Sequence, residues 1–137
     1  MFSTRAQHKL HTLFRSRREI ALAYLFGSLS KSRTPRKQSD IDIAILLTNN
    51  RRGLARLAYL TKIAAAVQDV LATDRAIDVV ILNEGDALLA HQVLKYGVRI
   101  FERKYPTDRD FRVRTMTRYF EAKRFHDFFY ERYTRRK

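Results

Sequence analysis

Cysteine and tryptophan are absent from the 137 residues, and glycine and proline occur only four times and twice. Without cysteine there is no disulfide framework and no thiolate metal site, so a metal would have to sit on oxygen or imidazole; the redox compartment stays open, with a lean toward the cytoplasm. No stretch reaches the roughly eighteen apolar residues of a membrane-spanning helix, and no apolar core of a signal peptide is present. A soluble, unsecreted, cytoplasmic protein is expected. Internal repeats and low-complexity segments are also lacking, and the charged stretch Glu102 to Pro106 is the single hinge expected. Acids are scarce: 14 Asp and Glu stand against 28 Lys and Arg, a net charge of +14.

What is present is globular, with 45% hydrophobic and 31% charged residues, and the length suits one compact domain over 1–137. The charge lies at the ends. Residues 1–37 hold nine basic residues and one acid, residues 38–102 seven and eight, and residues 103–137 twelve and five. An acidic partner follows, but charge does not choose among nucleic acid, an acidic protein and a nucleoside triphosphate.

Ala6, Leu10, Leu13 and Phe14 fall at helical spacing in an Arg-rich start that also has the composition of a transit peptide; the folded helix is preferred, because the apolar run after it needs a neighbour. Strands are expected at Ile20 to Phe26, closed by Gly27, at Ile41 to Leu47, at "AIDVVIL" and at Val98 to Phe101. Leu57, Leu60, Ala64, Val67 and Leu71 mark a helix over Leu54 to Ala72; Asp86 to Tyr96 reads as a short helix ended by Gly97, and a long helix is expected from Asp108 to Tyr133. The alternation predicts an α/β or α+β domain with a small mixed sheet of about four strands, a core over about 20–102 and a C-terminal helical segment over about 108–133.

Asp40 and Asp42 share one face of their strand and form a negative patch. Two like charges at the edge of an apolar strand are unfavourable unless a proton or cation intervenes. If "IDVVIL" pairs alongside, Asp78 reaches the same point, and three hard oxygen ligands suit Mg²⁺ or Mn²⁺. The bland alternative is an Asp-x-Asp topping a solvent-exposed sheet face, against which stands "IAILL", apolar throughout as in a strand buried on both sides. Gly27-Ser28 closes the preceding strand, where backbone N–H groups and a hydroxyl can approach phosphate. His8, His11, His91 and His126 make no metal or catalytic set, and Tyr24 and Tyr59 read as core or rim residues.

Gly27-Ser28, a loop, Ser39-Asp40-Ile41-Asp42 on a strand and Asp78 on a later strand together resemble the polymerase-beta-like nucleotidyltransferases, over about Leu22 to Phe101. The small size and "LNEGDALLAHQVLKYGVRIFERK" are similar to the minimal nucleotidyltransferases (MNT), often antitoxins paired with a HEPN-domain ribonuclease toxin. The resemblance implies a nucleotidyltransferase fold, with Asp40 and Asp42 binding Mg²⁺ that carries ATP and Asp78 completing a second metal position and helping to deprotonate the acceptor hydroxyl. It further implies that Ser28 holds the terminal phosphates and that AMP is transferred to a toxin tyrosine (AMPylation). The sequence departs from the family in a loop one residue longer than usual before Asp40 and in Ser32, where many members have glycine. In that loop Arg33, Arg36 and Lys37 are candidates for the triphosphate or else a solvated surface.

Phe111, Met116, Tyr119, Phe120, Phe125, Phe128, Phe129, Tyr130 and Tyr133 are too many for one stripe of the last helix, so part of it is expected to meet another chain. Phe125, Phe128, Phe129 and Tyr130 are the partner-interface candidates, with Arg112, Arg114, Arg118 and Arg124 steering an acidic partner. Two other functions fit less: a non-catalytic antitoxin that only docks on its toxin, and a nucleic-acid-binding module gripping phosphates with its basic ends.

Overall fold

In the computed structural model, residues 3–27, 40–49, 53–83, 86–104 and 107–134 are described. Helix α1 (Thr4–Arg15) is capped by Ser3, whose hydroxyl accepts from the Ala6 N–H, and it buries Leu10 and Phe14. Strands β1 (Ile20–Phe26) and β2 (Ile41–Leu47) take the expected bounds, and β2 is buried along its length except at Asp42. Helix α2 (Gly53–Leu71) precedes β3 (Ile77–Ile81), and α3 (Ala87–Tyr96) precedes β4 (Val98–Glu102). Helix α4 (Thr107–Thr134) follows. The strand order is β3-β2-β1-β4; β1 is antiparallel to β2 and β4, while β2 and β3 are parallel, so the sheet is mixed as expected.

Because side chains alternate along a strand, the sheet has two apolar faces, and each is covered by helices. Ile43 and Ile45 pack with Leu10, Phe14, Ile63 and Val67 of α1 and α2. Leu22, Tyr24, Ala44 and Leu46 pack with Val93 and Leu94 of α3 and Phe111 of α4. Two features of the helices differ from expectation. The inner stripe of α2 is Tyr59, Ile63 and Val67, and Leu57 is exposed, because Tyr59 turns inward with its hydroxyl on the Glu19 carboxylate. Gly97 ends α3 at a φ of −79°, not in a left-handed turn; glycine is needed there because a Cβ would lie 2.4 Å from the Val93 carbonyl oxygen.

The segment expected as a hinge is pinned where it is described. Arg103 donates from its guanidinium to the carbonyls of Ile20, Phe14, Arg15 and Arg17, tying the end of β4 to the α1–β1 turn. Glu102 accepts from the Asp108 N–H at 2.8 Å and so caps α4. At the start of α4 the carboxylate of Asp108 is buried, accepting from the Tyr24 hydroxyl and from Arg112 Nε at 2.8 Å, with Arg99 at 3.4 Å.

Candidate active site

The acids come together through strand register. Asp42 of β2 lies directly opposite Asp78 of β3 and, on its other side, opposite Phe26 of β1. The parallel β2–β3 pairing that the sequence left conditional is therefore in place. Asp40 immediately precedes β2, and buried Ile41 between the two acids holds the strand while they face the other way. By alternation Asp42 shares its face with Ala44 and Leu46, the face covered further along by α3 and α4. Asp42 is half-buried; Asp40 and Asp78 are exposed.

Gly27 leaves β1 with a φ of +80°, a left-handed conformation natural to glycine. A Cβ on it would lie 2.2 Å from Asp42 Oδ2. The turn expected to make room for phosphate thus also makes room for the carboxylate, which the spacing of the sequence did not reveal. Ser28, Arg33, Arg36 and Lys37, the remaining nucleotide-binding candidates, lie outside the described residues.

Burial raises the pKa of Asp42, and the neighbouring charges of Asp78 and Asp40 raise it further. A carboxylate in that position gains from a cation. Among the described residues no three His, Asp or Glu side chains close on one ion position. The three acids surround one end of β2 without forming a complete cage, and this suits Mg²⁺, which is usually held by one or two carboxylates and takes its other ligands from water and substrate phosphates.

Phe125, Phe128, Phe129 and Tyr130 are all exposed, between 40% and 65%, on the half of α4 that extends past the core. Arg112, expected to face a partner, is bonded to Asp108 and to the Leu94 carbonyl while its side chain stays 43% exposed. The Tyr24–Asp108 contact was missed because its members are 84 residues apart; the only signal was an acid in the first turn of a helix, a common feature.

Residues 8–106 match the family described as polymerase beta, nucleotidyltransferase. The chain is 33% identical over 101 residues to protein adenylyltransferase MntA of Shewanella oneidensis, covering 74% of this chain and 67% of that protein. It is similar, at 30% identity and a TM-score of 0.68, to a chain of a toxin–antitoxin crystal structure with AMP-PNP, covering 85% of this chain and 88% of the other. A tri-AMPylated HEPN toxin from Shewanella oneidensis in complex with its MNT antitoxin contains a further similar chain, at 29% identity and a TM-score of 0.63, covering 85% and 86% of the two chains. With a left-handed glycine turn set against paired aspartates of adjacent strands, the chain belongs to the polymerase beta nucleotidyltransferase family.

Proposed function

We propose that this chain is the antitoxin of a HEPN/MNT pair and that it neutralises its toxin by transferring AMP from ATP to a toxin tyrosine. The observation that carries the proposal is the direct opposition of Asp42 and Asp78 beside the Gly27 turn. Such a grouping of acids has no structural benefit in an apolar sheet, as the raised pKa of Asp42 attests. Its relatives include a protein adenylyltransferase and chains from toxin–antitoxin complexes, one of them with an AMPylated toxin.

Each residue has a distinct task. Asp42 and Asp40 would hold Mg²⁺, or Mn²⁺ in its place, with the triphosphate. Gly27 and Ser28 would bind the phosphates, and Arg33 and Lys37 would add positive charge, as the family resemblance implies. Asp78, exposed on the edge strand, is open to the acceptor hydroxyl and takes up its proton as the oxygen attacks the α-phosphorus; the bond to the β-phosphate oxygen breaks and pyrophosphate leaves. The metal, when bound, supplies charge neutralisation on the phosphates. Phe125, Phe128, Phe129 and Tyr130, exposed on the half of α4 past the core, dock the toxin.

ATP labelled at the α-phosphate distinguishes this function from a purely binding antitoxin. Label should appear on the HEPN protein only with Mg²⁺ and intact Asp42, and labelling that survives Asp42→Asn would remove the site assignment.

A further inference from the structure

Helix α4 meets the body of the molecule along one stripe. Asp108, Phe111 and Thr115 are buried, and Tyr119, at the next helical step, is half-buried. Ala122 and His126 continue the stripe but are exposed, as is every residue of α4 from Phe120 to Thr134. Tyr119 is thus the last residue of the helix that is not exposed, and about 22 Å of helix follows it.

This last contact is a stack. The ring of Tyr119 lies on the imidazole of His91 from α3, with centroids 3.8 Å apart and planes 6° from parallel. His91 is itself half-buried, and its Nδ1 is buried with no hydrogen-bond partner among the described residues. Buried polar atoms are nearly always bonded, so a side chain kept here for hydrogen bonding would not leave that nitrogen unpaired. What the position uses is the flat ring. Two parallel rings in contact constrain both their separation and their tilt, and with them the path of α4 past α3.

Leverage gives the contact its weight. Asp108 and Tyr119 hold α4 at points eleven residues or about 16 Å apart, and Tyr130 lies eleven residues further on. Without Tyr119 the held length shrinks to the seven steps from Asp108 to Thr115, about 10 Å, while the free length to Tyr130 grows to fifteen, about 22 Å. With those lengths the same play at the anchors moves Tyr130 about twice as far. We propose that His91 is a positioning residue for the acceptor. By stacking on Tyr119 it sets the direction of the helix that presents Phe125, Phe128, Phe129 and Tyr130, and so where a bound toxin lies relative to Asp42 and Asp78. Its effect on the acceptor rests on the adenylyltransferase function proposed above; its effect on the helix does not.

The chain has no cysteine, so spin labels at Lys62→Cys on α2 and Arg132→Cys on α4, both exposed, report a single distance. With His91 in place a narrow distance distribution is expected. His91→Ala and Tyr119→Ala should each broaden it, and His91→Phe, which keeps a ring, should restore it. A broad distribution already in the labelled parent, or one that His91→Ala leaves unchanged, would overturn the proposal. In transfer assays with the HEPN-domain protein purified with this chain, His91→Ala should raise the KM for that protein about fivefold, with kcat and Mg²⁺-dependent ATP binding within about twofold of wild type. His91→Phe should return the KM close to the wild-type value. An unchanged KM in His91→Ala, a rise that His91→Phe does not reverse, or an equal loss of ATP binding would also overturn the proposal. If wild type transfers no AMP, the adenylyltransferase reading fails, and the label distances still decide whether His91 sets the direction of α4.

Discussion

At Gly27 two separate penalties fall on any larger residue: the left-handed backbone costs an L-residue about 1–2 kcal/mol, and its Cβ would overlap the carboxylate of Asp42. Gly27→Ala should therefore lower stability by at least that amount and displace Asp42, so that ATP affinity falls along with turnover; calorimetric ATP titration and thermal melts measure both, and an unchanged ATP affinity would separate the turn from the site. At Asp42 the sign is reversed. Its raised pKa means that the ionised side chain opposes folding, a cost absent below the ordinary pKa of 3.8 and growing as the pH rises through the higher folded value. Asp42→Asn should melt at a higher temperature than wild type in metal-free buffer at pH 7 while abolishing transfer, and a lower melting temperature would show that the carboxylate is structurally required. Asp78→Asn should reduce turnover more than ATP binding, since exposed Asp78 takes the acceptor proton in the proposed mechanism. The acids were legible in the sequence because an Asp-x-Asp ahead of "IAILL" has no structural excuse. Contact between Gly27 and Asp42 was not, since it depends on a φ angle and on how β1 and β2 meet.

Helix α4 has two halves with different duties. The first is tied to the sheet through Asp108, whose burial pushes its pKa up but whose hydrogen bonds from Tyr24 and Arg112, with the charges of Arg112 and Arg99, outweigh burial and bring it below the usual carboxylate value. With a depressed native pKa, this carboxylate contributes stability above the ordinary pKa of 3.8 and loses it as the pH falls through the lower native value. The acid limb of a stability–pH curve should be shallower in Asp108→Asn than in wild type. Tyr24→Phe removes a donor to a buried charge and should cost about 1.5–3 kcal/mol in denaturant unfolding; a cost near zero would mean that Arg112 alone holds the carboxylate. In the second half the aromatics are exposed, so replacing Phe125 and Tyr130 by Ala should leave stability nearly unchanged while weakening the toxin complex by about 2 kcal/mol each. Element limits were readable from apolar runs, helical spacing and terminating glycines, with β1 and β2 matching residue for residue. The inward side of α2 was not, because a stripe of leucines does not announce that Tyr59 has a partner in Glu19.

Across the whole molecule, one sheet separates two functions of its helices: α1 and α2 seal one face, while α3 and the root of α4 cover only part of the other. The end of that face carries half-buried Asp42 and exposed Asp78, and the second half of α4 leaves its aromatics exposed on the same molecule. Composition alone left nucleic acid and protein equally matched as partners of a chain with net charge +14. The aromatics of α4 already pointed to a protein partner in the sequence, and the fold adds that Phe125, Phe128, Phe129 and Tyr130 are left exposed past the core. No helix among the described residues is long and apolar enough to cross a membrane. All these features suit the proposed catalyst whose acceptor is another folded chain. The most direct test is the intact mass of the HEPN-domain protein purified with this chain and incubated with ATP and Mg²⁺, beside the same complex carrying Asp42→Asn. A gain of whole adenylyl groups on the HEPN protein, lost in the variant and lost without Mg²⁺, is the expected result; an unmodified HEPN protein that is nonetheless neutralised by wild-type chain would contradict it.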